Sequence, residues 1–317
     1  MAEATPQDRY LGKLLAEIPE PRIRPYLSAA KGNARQALAR YFWNIELCRA
    51  FYPALHALEI GLRNALDRAV IRYLAEQKTR HGKMRNSRID SWLTDTPTVI
   101  VHAGAQASVA HALDDLVPPN LDPLTSTRRP KTHGDLVAGL SFGFWTSLLA
   151  DEYGPDAKTP AELSWHHSMQ SVAFPGSTHI AMGTINRQFT AIRHFRNRVF
   201  HHEPIWPKYP NDDSPDQWYG KVLSALKLLG GPQAEVPPVL HGRPKELEVE
   251  ESIAAMSERL DTTIETLLAR AAEKADKKAK KAKKDENTPA LSENTEPPTA
   301  PTDDSNTVAT SPAVPMD

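Results

Sequence analysis

The chain is predicted to be all-α, and three observations carry that prediction. Apolar residues recur at three- and four-residue steps through the long segments between residues 33 and 272, the signature of helices with one buried face. Helix-boundary chemistry punctuates them. At Ser214-Pro215-Asp216-Gln217 a capping serine, a proline at the first helical position and a capping-box glutamine fall together, and Gly230-Gly231 stops the same segment. No segment alternates apolar and polar residues strongly enough to form a sheet. A chain of 317 residues can bury a sizeable core without staples, and its single cysteine, Cys48, excludes a disulfide framework and argues against a cysteine-ligated metal.

Residues 1–32 read as an N-terminal extension whose charges are spread throughout, with no apolar core of signal-peptide length. Nothing later approaches the roughly 18 consecutive apolar residues needed to cross a bilayer, so a cytoplasmic protein with no membrane partner is expected. The domain proper is expected over 33–272. Its first helix runs from about Asn33 to Leu74 with a kink or restart at Pro53, and Leu55, Leu58, Leu62, Leu66, Val70 and Tyr73 form its core stripe. Glu59 falls inside that stripe, which directs a carboxylate inward.

Residues 77–133 read as a long insertion containing a short helix around Gln106 to Leu116. Its cations, Lys78, Arg80, Lys83, Arg85, Arg88, Arg128, Arg129 and Lys131, suit either a solvated loop or a polyanion-binding surface. A helix from about Gly134 to Asp151 follows, with Leu136, Leu140, Phe144 and Leu148 on one face and Gly139 and Gly143 placed for close approach by a neighbour. The next spans about His179 to His202 on a stripe of Ile185, Phe189, Ile192 and Val199. The helix capped at Ser214 buries Trp218, Val222, Leu226 and Leu229, and a last one, 245–272, buries Ile253, Met256, Leu260, Ile264 and Leu267. Residues 273–317 form a lysine-rich then acidic tail. Lys274 to Lys284 suits a solvated helical extension or nonspecific nucleic-acid binding, and the acidic remainder has too few apolar residues to fold.

The chemistry concentrates in Phe195 to Trp206, where two arginines, an asparagine and two histidines occupy seven residues before Pro204. On a helix Arg196 emerges along the core stripe and requires a carboxylate or a ligand anion, with Glu59 and Glu46 as the candidate partners. Asn197 stacks under His201 and Arg198 under His202, on a face that also carries His194. Pro204 forces Glu203 out of helical geometry, so the helix ends at the histidines, where the macrodipole favours imidazolium. Arginine plus histidine without a carboxylate cluster suits metal-independent RNA cleavage, in which an imidazole moves the proton of the ribose 2′-OH or of the leaving oxygen. A solvated helix end is the competing reading. A metal site from His194, His201 and His202 is another, and it lacks a carboxylate motif to complete it.

Arg196-Asn197-Arg198-Val199-Phe200-His201 resembles the signature of the HEPN superfamily, an arginine and a polar residue followed by a histidine at short spacing. RNRVFHHEPIW further resembles the Abi-like (AbiD/AbiF, abortive-infection) proteins. Phe42 to Val70 looks like that family's first helical block and Leu136 to Leu149 like its Gly-rich middle helix, so that the three blocks frame residues 33–230. The resemblance implies a HEPN-like helical bundle, usually a homodimer with two signature helices facing across a cleft. It also implies endoribonuclease activity without cofactor or metal, in phage defence or a toxin–antitoxin system with an antitoxin or small RNA as a further partner. Arg196 would then hold the scissile phosphate of an RNA substrate, Asn197 would orient the histidine, and His201 or His202 would transfer protons. Arg193 and Arg198 would add substrate-binding cations, and Glu59 would support Arg196.

Overall fold

A computed structural model describes residues 4–77, 91–94, 100, 102–116, 132–153, 167–206, 212–231 and 242–286. These residues hold helices α1 (Pro6–Glu17), α2 (Glu20–Ala29), α3 (Ala34–Gln77), α4 (Ala103–Leu116), α5 (His133–Gly139), α6 (Phe142–Ser147), α7 (His167–Ala173), α8 (Met182–Phe200), α9 (Pro215–Leu229) and α10 (Val249–Glu286). Among the described residues there is no strand, so the all-α expectation is met. No helix among them is long and apolar enough to cross a membrane. The chain divides into two compact units, Met1–Glu265 and Thr266–Asp317.

The first unit is organised on α3, a 44-residue helix that touches α1, α2, α6, α7, α8 and α9. Pro53 lies within it and removes the amide that would bond the carbonyl of Arg49. The helix nevertheless continues, because residues on both sides of the proline are anchored: Phe51, Leu55 and Leu58 are all buried. Of the stripe read from sequence, Leu55, Leu58, Leu62, Leu66 and Val70 are buried and Tyr73 is half-buried. Residues 1–32 contribute α1 and α2, and Leu11, Ile23, Tyr26 and the α2 C-cap Ala30 are core residues of the same unit.

Within the expected insertion, the described parts belong to the core. Trp92, Leu93, Ile100 and, on α4, Ala105, Val109 and Ala112 are all buried. Asp67 on α3 pins this region by accepting from Trp92 Nε1 at 2.7 Å and His133 Nε2 at 2.9 Å. The eight basic residues of the insertion lie outside the described residues.

The single helix expected over 134–151 is instead α5 and α6. Leu140 turns extended, at φ −85° and ψ 137°, and Ser141 starts a new helix by accepting the amide of Phe144 at 3.2 Å. Serine competes better as a cap than as a helix-interior residue, and glycine before it weakens continuation. The predicted face survives the break, since Leu136, Leu140, Phe144 and Leu148 are all buried. Gly139 does face a neighbour, with Ala112 and Leu116 of α4 about it, and Gly143 faces the stem of Arg193 on α8.

The caps of α9 are those read from sequence: Ser214 accepts from Gln217 N, the Gln217 side chain answers to Ser214 N, and Gly230 ends the helix at φ +65°. At the other end of the chain, α10 does not stop at 272. It continues as helix to Glu286, so the lysine–alanine run is helical as far as that residue. The acidic tail beyond it lies outside the described residues.

Candidate functional site

The candidate cluster sits where α8 ends. Ile185, Phe189, Ile192, Phe195 and Val199 bury one side of that helix, and the last helical residue is Phe200. At 100° per residue Arg193, Arg196, Asn197 and Phe200 fall within one arc of about 100° beside the buried stripe.

Arg196 lies at the edge of the core. Its Nη2 donates to Glu59 Oε2 at 3.1 Å, both side chains being about one-quarter exposed, and its guanidinium carbon stands 4.0 Å over the Phe200 ring. Glu59, not Glu46, is therefore its partner; Glu46 pairs with Arg49 at 2.6 Å. Removing either member of a partly buried pair strands the other charge, at a cost of about 3 kcal/mol. Phe200 is 39% exposed and packs on Tyr52 of α3, so an apolar rim borders the arginine.

Asn197 is exposed, and its Oδ1 receives Arg196 Nη1 at 3.5 Å. The expected amide–imidazole bond from Asn197 to His201 is not formed among the described residues. Its geometric basis, stacking at four residues, holds only inside a helix, and His201 is already the cap. What joins the two is backbone: His201 N donates to Asn197 O at 2.9 Å.

The turn itself is a Schellman motif, with His202 N bonded to Val199 O at 3.1 Å and Glu203 N to Arg198 O at 2.9 Å. Its left-handed position, usually glycine, is filled by His202 at φ +54°. Arg198 is therefore not stacked with His202. Its guanidinium curls round the turn, donating to the carbonyl of Pro204 and standing 3.8 Å from Glu203.

Three further side chains hold this turn from below and beside. Arg22 on α2 donates to the carbonyls of His202 at 2.8 Å and His201 at 3.3 Å. Asn44 on α3, only 1% exposed, donates to Glu203 O and accepts from Ile205 N, both at 3.1 Å. Trp206 stacks edge-on against Tyr26 at 4.7 Å, and Ile205 is buried. The same pocket of side chains contains Cys48, whose thiol is pushed up to about 12 by burial despite the opposing field of Arg198. Burial likewise raises the Tyr26 phenol.

The result is a backbone fixed from within that carries exposed chemistry. His194, His201 and His202 are all exposed, and among the described residues the rings of His201 and His202 make no hydrogen bond. Beside the turn lies a cleft of about 570 Å³ lined by Arg24, Ser28, Arg198, Glu203 and Trp206. Of the candidate catalytic and substrate-binding residues read from sequence, only Arg198 lines that cleft. The structure thus brings Arg193, Arg196, Asn197 and Glu59 to one side of α8 and sets Arg198 on another.

Arg22 and Asn44 were missed by the sequence reading. Asn44 carried a signal, a polar residue between the apolar positions Trp43 and Leu47 on a helix. Arg22 carried none, since its partners lie 179 and 180 residues away.

A second constellation, Ser91–His133–Asp67, has Ser91 Oγ 2.6 Å from His133 Nδ1. Ser91 is 4% exposed, and its oxygen also accepts the amide of Leu93 at 3.2 Å, so the relay acts as a staple between α3, α5 and the turn at 92–94. Among the described residues no group of three His, Cys, Asp or Glu is placed to hold a metal ion. Comparison with family models, curated proteins and solved structures finds no match to this chain.

Proposed function

We propose that this protein is a metal-independent endoribonuclease of the HEPN type, related to the Abi-like abortive-infection proteins and acting in phage defence or a toxin–antitoxin system. The observation that carries the reading is the end of α8. One face presents Arg193, Arg196 and Asn197 and leads onto His201, whose exposed ring makes no hydrogen bond among the described residues on a turn held by Arg22, Asn44 and Arg198.

In this reading the RNA phosphate lies against Arg196, whose two terminal nitrogens each keep a second N–H beyond those used on Glu59 and Asn197, its Nε being buried. His201 takes the proton of the ribose 2′-OH as that oxygen attacks phosphorus. The new P–O2′ bond forms as the P–O5′ bond breaks, and the departing oxygen takes a proton from a second imidazole. The products are a 2′,3′-cyclic phosphate and a 5′-hydroxyl, so no water or metal enters this step. The second imidazole is His202 or the histidine of another copy, in a homodimer that covers the exposed Phe200.

The test is induced expression of the parent chain beside His201→Ala and His202→Ala, with growth and new 5′-hydroxyl ends in total RNA as readouts. Purified protein is expected to cleave in EDTA. Loss of growth arrest and cleavage in His201→Ala, with melting unchanged, supports the mechanism. Cleavage that requires added divalent metal overturns it. A second reading has its own observation, the Arg196–Glu59 pair: a noncatalytic RNA-binding or protein-interaction module in which Arg196 is chiefly structural. That reading expects RNA binding without cleavage at any protein concentration and no effect of His201→Ala on growth.

A further inference from the structure

The feature of the chain that this function leaves unused is the basic end of α10, in the second unit. From Arg270 to Lys284 it carries eight cationic residues against Glu273 and Asp276. At 1.5 Å per residue these occupy about 21 Å. The net of about +6 is then one charge per about 3.5 Å, close to the roughly 3.4 Å between phosphates along one strand of a duplex.

Helical geometry sorts those charges. Arg270, Lys274, Lys277, Lys278 and Lys281 fall within an arc of about 100°. Every residue from 269 to 281 is exposed, and among the described residues none of these five is ion-paired. Lys280 lies on the other side of the helix and pairs with Asp276 at 2.7 Å, which draws that carboxylate away from the stripe. Between Arg270 and Lys284 the only apolar residue type is alanine, so no bulky side chain is present to enter a lipid interface.

We propose that this stripe is a sequence-independent binding site for the phosphate backbone of a nucleic acid. The choice of RNA over DNA as its ligand rests on the function proposed above. Point-charge ammonium groups on one exposed helix face neutralise phosphates and release counterions, and they read no base.

The test uses the full-length chain carrying His201→Ala, which keeps the probe intact, in EDTA. A labelled single-stranded RNA of about 20 nucleotides is titrated between about 50 and 200 mM salt, the range over which phosphate contacts are most visible. The comparison is the same chain with Lys274→Gln, Lys277→Gln, Lys278→Gln and Lys281→Gln, since glutamine preserves helix propensity. Each lost contact lowers the slope of log affinity against log salt by about 0.7, so four lower it by about 2.8, a difference of about 50-fold across that range. An unchanged slope overturns the proposal, as does tighter binding of the parent chain to anionic phospholipid vesicles than to the RNA. The two proposals fail separately. RNA binding through the stripe without cleavage by the unsubstituted chain removes the ribonuclease reading alone, whereas cleavage with an unchanged slope removes the stripe alone.

Discussion

Replacing Asn44 by alanine removes the one side chain that, among the described residues, bonds the turn after α8 through both a carbonyl and an amide. The carbonyl of Glu203 and the amide of Ile205 each lose a partner 3.1 Å away. Ile205 is 1% exposed, so water has little access to replace the acceptor. An unsatisfied buried group costs about 1–3 kcal/mol, and the two together give roughly 2–4 kcal/mol after relaxation of the turn. In a unit of this size each kcal/mol moves Tm by about 2–4 °C, so a fall of about 5–15 °C is expected.

Asn44→Asp sharpens the test. The carboxylate still accepts from Ile205 but sets a negative oxygen against the carbonyl of Glu203. At neutral pH it is expected to be at least as destabilising as alanine. Because the fold favours the protonated form, which can donate to that carbonyl, the variant regains stability as pH falls, opposite to the usual carboxylate. Urea and thermal unfolding give the magnitudes, and amide exchange reads Ile205 directly. If Asn44→Ala melts within about 1 °C of the parent and the Ile205 amide stays protected, Asn44 does not hold the turn.

Two other outcomes follow from the same region. His202→Gly is expected to be more stable than His202→Ala by about 1 kcal/mol in urea unfolding, because alanine keeps the left-handed strain at φ +54° that glycine relieves; a less stable glycine variant would refute the turn geometry. Burial pushes the Cys48 thiol up from its ordinary value of 9.0 to about 12, so its contribution is intact below about pH 9 and is lost as pH rises toward 12. Cys48→Ala is expected to flatten, in part, the alkaline loss of unfolding free energy, the buried phenols of Tyr26 and Tyr219 continuing to contribute; equal slopes would show that the thiol is not buried as described.

What the sequence made legible is what repeats locally. The stripe of α3 from Leu55 to Val70, the stripe of α8 and the caps of α9 each depend on residues within one or two turns, so spacing alone identifies them. The α5–α6 break was hidden because the predicted apolar face is continuous across it, and a four-residue rhythm cannot distinguish one helix from two that share a buried side. The Arg196–Glu59 pair was also accessible, since both residues fall in core stripes and a buried cation needs a carboxylate. Arg22 was not, and Asn44 showed only as a polar residue on an apolar stripe without its partners, because the partners of both are backbone atoms, which have no residue type to be matched in sequence.

Arg196 and Arg198 show how far residue type alone can mislead within such a motif. They are two positions apart, and on a helix that is a rotation of about 200°. One guanidinium lies over Phe200 against Glu59; the other is committed to Pro204 and Glu203 on the turn. A phosphate approaching the face of Arg193, Arg196 and Asn197 would meet the remaining N–H groups on the terminal nitrogens of Arg196, whose Nε is buried. To use Arg198 it would have to displace bonds that fix the histidines' own backbone. Reduced activity in an Arg198 variant therefore does not identify a substrate contact, because loosening the turn misplaces His201 and His202 at the same time. The two cases separate by amide exchange across residues 201–205: a substrate contact leaves protection intact, whereas a clamp does not.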